Sequence, residues 1–135
     1  MKKLLILCTG NSCRSIIAEA LINSEFGNNI NVYSSGVSAL GKVNPNAKKI
    51  LELNNIWRTE YHSKNLDQLS HIDFDLVITV CDNAQQNCSV FPRKTNVTHL
   101  GFEDPDGKDL DKFEQCYFDI KSKLVPFIKT WQFKK

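Results

Sequence analysis

Short apolar runs alternate along the chain with longer segments in which apolar residues recur every three or four positions. KKLLILC and FDLVITVC are typical of strands buried in a parallel sheet, INVYSSG alternates as a second strand does, and TNVTHLGF is interpreted as a fourth strand. The longer segments have the spacing of helices that bury one side: SIIAEALINSEFG, NPNAKKILELNN and KDLDKFEQCYFDIKSKLVPFI. Strands that alternate with helices predict an α/β domain in which a parallel sheet is flanked by helices.

Residues with strong positional preferences mark the ends of these helices. Gly27 follows the first helical segment and is expected to end it. Asn44 suits the N-cap of the second helix, and Pro45 suits its first position. Cys116 lies beside the apolar stripe of the last helix, so we expect it in the core. Pro126 should end or kink that helix, because proline has no N–H to donate.

Composition and charge narrow the classes of protein to consider. The chain has 135 residues, 41% of them hydrophobic and 24% charged, so residues 1–135 are interpreted as one globular domain. The net charge is only +2 and no basic stripe with interleaved aromatics is present, which argues against nucleic acid as a partner. No stretch approaches the ~18 apolar residues of a membrane span, and the first apolar run is too short for a signal peptide. We therefore expect a cytoplasmic monomer whose five cysteines are reduced thiols.

The segment CTGNSCRS, residues 8–15, connects the first predicted strand to the first helix. In a parallel sheet, ligands bind at the carboxyl ends of the strands, which is where this loop lies. Gly10 permits a positive φ, and Asn11 tolerates the left-handed conformation, so the loop can turn its N–H groups inward. Such N–H groups, followed by a helix N-terminus, favour a bound anion.

Two side chains give this loop its chemistry. Arg14 offers a planar fork suited to a tetrahedral oxyanion. Cys8 would lie among donors and positive potential, so we expect a lowered pKa and a reactive thiolate, to which Ser15 could donate a hydroxyl. The spacing Cys-x5-Arg therefore predicts a nucleophile at the base of an oxyanion-binding loop, which comprises Thr9, Gly10, Asn11, Ser12, Cys13, Arg14 and Ser15.

Asp104 and Cys81 follow strand ends that could meet Cys8 at one edge of the sheet. Asp104, in the segment FEDPDGK after the fourth strand, could protonate a departing oxygen, with Glu103 as the second choice. Cys81 ends the third strand. If this strand neighbours the first, the two lie about 4.8 Å apart, within the ~4.4–6.8 Å Cα separation of disulfides. Cys88 follows seven positions later. A phosphatase has no use for a second thiol, whereas a reductase obtains two electrons when two thiols become a disulfide.

The loop CTGNSCRS resembles the signature of the low-molecular-weight protein tyrosine phosphatase superfamily, which includes phosphatases and thioredoxin-coupled arsenate reductases. The resemblance implies a single three-layer domain with a four-stranded parallel sheet in the order 2-1-3-4. It also implies that Cys8, Arg14 and Asp104 are catalytic. The cysteine triplet Cys8, Cys81 and Cys88 and the segment DPDGK are similar to those of the arsenate reductases.

The reductase resemblance implies that arsenate is the substrate, with phosphate or sulfate as mimics. Cys8 would attack arsenate, Cys81 and then Cys88 would resolve the adduct, and thioredoxin would reduce the final disulfide. No cofactor is required, although some such reductases bind potassium. Residues that align with the potassium site are Asn11, Glu19, Ser34 and Asn65, the last standing where an aspartate is common.

Two alternatives stay open at this level. The chain could be a low-molecular-weight protein tyrosine phosphatase that uses Cys8, Arg14 and Asp104, or a non-enzymatic module that binds oxyanions.

In the reductase interpretation, a helical segment 82–87 would hold Cys81 and Cys88 about 10.5 Å apart. Because that exceeds the ~7 Å limit for a disulfide, the segment would have to unwind on oxidation.

Overall fold

Four parallel strands form the sheet of the computed structural model, which describes residues 1–81 and 95–133. The strands are β1 Lys2–Cys8, β2 Ile30–Gly36, β3 Leu76–Thr79 and β4 Asn96–His99. They are arranged in the order β2-β1-β3-β4, and each neighbouring pair is parallel. The predicted fold class and strand order are confirmed. The proposed helix at 82–87 and Cys88 lie outside the described residues.

β1 is the strand that places the oxyanion loop. Its residues Leu4 to Leu7 are completely buried, as expected for a central strand with neighbours on both sides. The register pairs Cys8 with Gly36 of β2 and Leu7 with Thr79 of β3. The chain therefore leaves β1 at the carboxyl edge of the sheet, next to the residues that follow β3.

The described part of the chain has three α-helices: α1 Arg14–Phe26, α2 Pro45–Leu53 and α3 Leu110–Trp131. A short 3₁₀ helix spans Leu66–Leu69. α1 contacts β1, β2 and α3, and α2 contacts α1 and α3. The predicted stripe of α3 is buried at Phe113, Tyr117, Ile120 and Leu124 and half-buried at Leu110, and Cys116 is buried beside it. Among residues 1–81 and 95–133, no helix has the length and apolar character needed to cross a membrane.

The predicted end of α1 and start of α2 are confirmed, whereas the end predicted at Pro126 is wrong and the alternative, a kink there, stays a prediction. α1 ends at Phe26, directly before Gly27, and the side chain of Asn44 accepts a hydrogen bond from the N–H of Asn46 at 2.8 Å. α3 does not end at Pro126 but continues to Trp131. The missing proline N–H costs one intrahelical bond. The last turn is held by tertiary contacts, because Ile128 is fully buried and the Lys2 ammonium donates to the Trp131 carbonyl.

Two adjacent serines on β2 differ in whether their buried hydroxyls are hydrogen-bonded. Ser34 and Ser35 are both completely buried. The Ser34 hydroxyl accepts from Asn11 at 3.0 Å and donates to Glu19 at 2.5 Å. The Ser35 hydroxyl has no hydrogen-bond partner within the described residues. A buried polar group without a partner costs stability, whereas a satisfied one contributes to it.

We therefore expect opposite effects from removing these two hydroxyls. Ser35→Ala should raise the free energy of unfolding by about 1 kcal/mol, and Ser34→Ala should lower it by about 1–3 kcal/mol. Urea unfolding of the two variants, followed by circular dichroism, measures both changes. A loss of stability in Ser35→Ala would show that its hydroxyl makes a stabilising interaction.

Candidate active site

The loop between β1 and α1 directs its carbonyl groups outward. Backbone N–H groups of the segment after β2 donate to them at 2.9–3.0 Å: Val37 to Cys8, Ser38 to Thr9, Leu40 to Gly10 and Asn44 to Ser12. In a trans peptide the C=O and N–H point in opposite directions. The N–H groups that follow these carbonyls therefore face the inside of the loop, where a cavity of about 310 Å³ opens. This is the arrangement that binds anions.

Asn11 fixes the shape of the loop. It is completely buried and has a φ of 48°, in the left-handed region. Its side-chain N–H groups donate to the hydroxyls of Ser15 and Ser34 at 2.8 and 3.0 Å, and its Oδ1 accepts from the N–H of Lys64 at 2.7 Å. The left-handed residue predicted in this loop is thus Asn11. The positive φ permitted at Gly10 is not used, and the predicted contact of Ser15 with Cys8 stays a prediction.

Arg14 is the first residue of α1 and reaches across to the loop after β4. Its Nη1 donates to the carbonyl oxygen of Phe102 at 3.0 Å, and its Nη2 lies 3.5 Å from Oδ2 of Asp104. The side chain is only 12% exposed, and its buried Nε has no partner in the described residues. A buried, charged donor without a partner is costly. A tetrahedral oxyanion in the loop would satisfy it, as predicted for this residue.

Cys8 lines this cavity, and Cys81 lies beside Cys8. The two thiols are hydrogen-bonded to each other, and both residues are about 5% exposed or less. The hydroxyl of Thr9 lies 3.1 Å from the Cys81 sulfur. Cys8 and Cys81 are therefore in contact, as their places near neighbouring strand ends predict. Cys88, the third predicted member of this group, lies outside the described residues.

The ionisation of Cys8 differs from the sequence prediction. The hydrogen bond with Cys81 and burial raise the pKa of the Cys8 thiol, and together they outweigh the Arg14 guanidinium and the Thr9 N–H, which lower it. The prediction of a lowered pKa considered only the loop and was wrong for this pair. Two thiols in contact titrate as a unit, because a charge on one opposes a charge on the other.

We expect Cys81→Ala to lower the pKa of Cys8, because it removes the largest contribution that raises it. Alkylation of Cys8 by iodoacetamide, followed by mass spectrometry across a pH series, should reach its half-maximal rate at a lower pH than in the parent protein. Cys116→Ala is the matched control, because this thiol is a core residue apart from the pair. An unchanged profile in Cys81→Ala would contradict the coupling.

The acid loop, residues 102–108, brings Asp104 and not Glu103 to the cavity. Asp104 lies on the cavity wall with Cys8 and Arg14, and its Oδ1 accepts from the N–H of Asp106 at 3.0 Å. Glu103 pairs instead with Lys108 at 3.0 Å, and this ammonium lowers the pKa of the Glu103 carboxyl. The geometry therefore favours Asp104 as the acid.

Two other thiols are structural. Burial raises the pKa of Cys13 to about 11 and that of Cys116 to about 12. Cys13 contacts the Ser12 hydroxyl at 3.6 Å, and Cys116 packs in the core as predicted. Cys116 also donates to the Glu103 carbonyl oxygen at 3.9 Å, so neither thiol is paired with a second cysteine as Cys8 is with Cys81.

The four residues predicted to bind potassium do not form one set. Asn11, Ser34 and Glu19 are linked by hydrogen bonds, but Asn65 uses its Oδ1 to accept from the Ala39 N–H. The Lys64 ammonium lies 3.9 Å from Glu19, and both side chains are only 12% exposed. Burial raises the pKa of Glu19 and lowers that of Lys64. The carboxylate thus already has a cationic partner, so the residues present do not fit a potassium ion.

Three contributors to this site were not predicted from the sequence. Lys64 supplies a cation beside Glu19, and its position in an irregular segment gave no signal. Gly36 allows β2 to approach the loop, because a Cβ there would lie within 2.3 Å of the Thr9 carbonyl oxygen. Asn44 was recognised only as a helix cap, although its side chain also donates to Asp106 at 2.9 Å.

Comparison with known proteins places the chain in a family. Residues 3–135 match the family described as low molecular weight phosphotyrosine protein phosphatase. A relative named arsenate reductase, from Bacillus cereus strain AH187, is 41% identical over 129 residues, which cover 96% of each chain. A solved structure described as an arsenate reductase in the phosphate binding state has a TM-score of 0.80 and 28% identity, covering 96% of this chain and 98% of that one.

A third similar protein is a phosphatase. The solved structure is a YwlE arginine phosphatase mutant with a phosphorylated active-site serine. It has a TM-score of 0.82 and 29% identity, and the alignment covers 98% of this chain and 97% of that one. The match over nearly the whole sequence agrees with the strand order and the loop geometry described above. The chain therefore belongs to the low molecular weight phosphotyrosine protein phosphatase family.

Proposed function

We propose that this protein reduces arsenate to arsenite and takes the two electrons from its own thiols. The observation that carries the proposal is the contact between Cys8 and Cys81 at the base of an oxyanion loop. A phosphatase needs one of these sulfurs, whereas a reductase needs both. The relative named arsenate reductase, 41% identical over 96% of the chain, supports the same conclusion.

In the first step, arsenate binds to the inward N–H groups of the loop and to Arg14, and the sulfur of Cys8 attacks arsenic. One As–O bond breaks as the S–As bond forms, and the oxygen leaves as water. The thiol plus hydrogen arsenate give the Cys8–S–AsO3²⁻ adduct and water, with no net proton uptake. The proton that Cys8 loses thus balances the proton that the leaving oxygen gains. Asp104, on the same cavity wall, delivers it.

In the second step, the Cys81 sulfur attacks the Cys8 sulfur. The S–As bond breaks, and its electron pair leaves with arsenic, which is thereby reduced from As(V) to As(III). A Cys8–Cys81 disulfide forms, and the Cys81 proton is released to the arsenite. The Thr9 hydroxyl, 3.1 Å from the Cys81 sulfur, can donate a hydrogen bond that stabilises the attacking thiolate.

In the third step, Cys88 attacks Cys81, so that a Cys81–Cys88 disulfide forms and Cys8 returns to the thiol. A dithiol of the thioredoxin class then reduces this disulfide and is itself oxidised. These thiols supply both electrons, so the scheme needs no resident cofactor. A reducing compartment such as the cytoplasm maintains this cycle.

The decisive experiment measures arsenate-dependent oxidation of NADPH by the purified protein with thioredoxin and thioredoxin reductase. We expect turnover with arsenate and none without it. Glutathione and glutaredoxin in place of the thioredoxin system test the choice of reductant. If arsenate causes no loss of protein thiols even in a single turnover, the proposed reduction is wrong.

Hydrolysis of phosphate esters is the second candidate activity. Cys8, Arg14 and Asp104 line one cavity, and the similar arginine phosphatase structure carries its phosphoryl group on the active-site serine. We expect slow hydrolysis of an aryl phosphate that survives Cys81→Ser and Cys88→Ser but is lost in Cys8→Ser. Release of the aryl alcohol, followed by absorbance, measures it. Dependence of this hydrolysis on Cys88 would contradict the division of roles.

A further inference from the structure

Asn44 connects the oxyanion loop to the acid loop. Its backbone N–H donates to the Ser12 carbonyl at 3.0 Å, and its Nδ2 donates to Oδ1 of Asp106 at 2.9 Å. The N–H of Asp106 donates to Oδ1 of Asp104 at 3.0 Å, and Oδ2 of Asp104 lies 3.5 Å from Arg14. These contacts form a closed circuit from the oxyanion loop, through the start of α2 and the acid loop, back to Arg14.

This circuit of hydrogen bonds restricts the position of the Asp104 side chain, which packing leaves free. The side chain of Asp104 is 55% exposed, so it would otherwise sample several rotamers. Its bond to the Asp106 N–H orients it within the acid loop but not relative to Cys8. Arg14 must also bind the oxyanion during the reaction, so its ion pair with Asp104 competes with the substrate. The bond from Asn44 to Asp106 is independent of the substrate and fixes the acid loop to the loop that carries Cys8.

We propose that Asn44 is a positioning residue that acts through Asp106 and holds Asp104 where it can protonate the leaving oxygen. This inference rests on the proposed function, in which Asp104 is the acid. Asn44 also caps α2 through its Oδ1, which accepts from the Asn46 N–H. One side chain therefore uses its oxygen for the helix and its nitrogen for the acid loop, which explains why a serine or aspartate cap would not be equivalent.

The test separates these two uses of Asn44. Asn44→Ser keeps an oxygen that can cap α2 and keeps the backbone bond to Ser12, but it removes the amide donor to Asp106. We expect kcat for arsenate reduction to fall about tenfold with KM nearly unchanged, since misplacing a catalytic group affects the transition state more than binding. Asn46→Ser, the same change two residues later, is the matched control and should retain its activity.

A double-mutant cycle with Asp104→Asn distinguishes positioning from a general weakening of the fold. In the Asp104→Asn background, Asn44→Ser should have no further effect on kcat, because its effect passes through Asp104. Equal falls in both backgrounds would overturn the inference. Full activity of Asn44→Ser together with low activity of Asp104→Asn would also overturn the inference, but it would not contradict the proposed function. Normal activity of Asp104→Asn would instead contradict the acid role on which the proposed function depends.

Discussion

Cys8→Ser is expected to abolish arsenate reduction, the largest effect of any single substitution in this protein. The hydroxyl of serine is a far weaker nucleophile than a thiolate and cannot enter a disulfide, so both the first and second steps fail. The substitution is nearly isosteric at a buried position that is 4% exposed, so the fold should persist. We expect arsenate-dependent NADPH oxidation to fall to the background rate.

Anion binding by Cys8→Ser distinguishes a variant that has lost only its nucleophile from one whose oxyanion site is no longer formed. Cys8→Ser retains the inward N–H groups and Arg14, so it should still bind phosphate or arsenate in isothermal titration calorimetry. Cys116→Ser is the matched control, because it replaces another buried thiol that lies in the core and takes no part in the scheme. Arsenate turnover by Cys8→Ser would exclude this sulfur as the nucleophile. Loss of anion binding would place Cys8 in the binding of substrate as well.

The architecture was predictable because each element is encoded locally. Unbroken apolar runs identified β1 and β3, alternation identified β2, and Asn44 with Pro45 marked the start of α2. Adjacency of β1 and β3, implied by the family resemblance and confirmed in the sheet, brought Cys8 to Cys81. The carboxyl ends of parallel strands lie at one edge of a sheet, so this strand order assigned residues far apart along the chain to one site.

The errors share a different origin, because they concern properties set by several elements at once. Pro126 has a strong local tendency to end a helix, yet the core contacts of Ile128 keep α3 intact. The pKa of Cys8 depends on Cys81 and on burial as well as on the loop. The position of Lys64 beside Glu19 depends on how an irregular segment returns to the sheet. A local sequence pattern does not predict contacts between residues that lie far apart along the chain.

Arg14→Lys is expected to lower kcat/KM for arsenate by about 10²–10³-fold, which corresponds to about 2.7–4 kcal/mol of lost transition-state stabilisation. The lysine keeps the positive charge, but it loses the planar fork that donates to Phe102 and to the oxyanion at the same time. In the structure, Nη1 is fixed on the Phe102 carbonyl at 3.0 Å, Nη2 faces Asp104, and Nε is left for the oxyanion. One ammonium cannot occupy these three positions.

Arg58, an exposed arginine, offers the control for this change. Arg58→Lys makes the same substitution in an exposed ion pair with Glu60, at 3.6 Å, and exposed pairs contribute little. Steady-state kinetics of both variants should show a large fall for Arg14→Lys and none for Arg58→Lys. Because the guanidinium contacts both the bound anion and the developing charge, KM should rise as kcat falls. Normal kinetics in Arg14→Lys would show that a positive charge at this position is enough for catalysis and that the planar fork of the guanidinium is not needed.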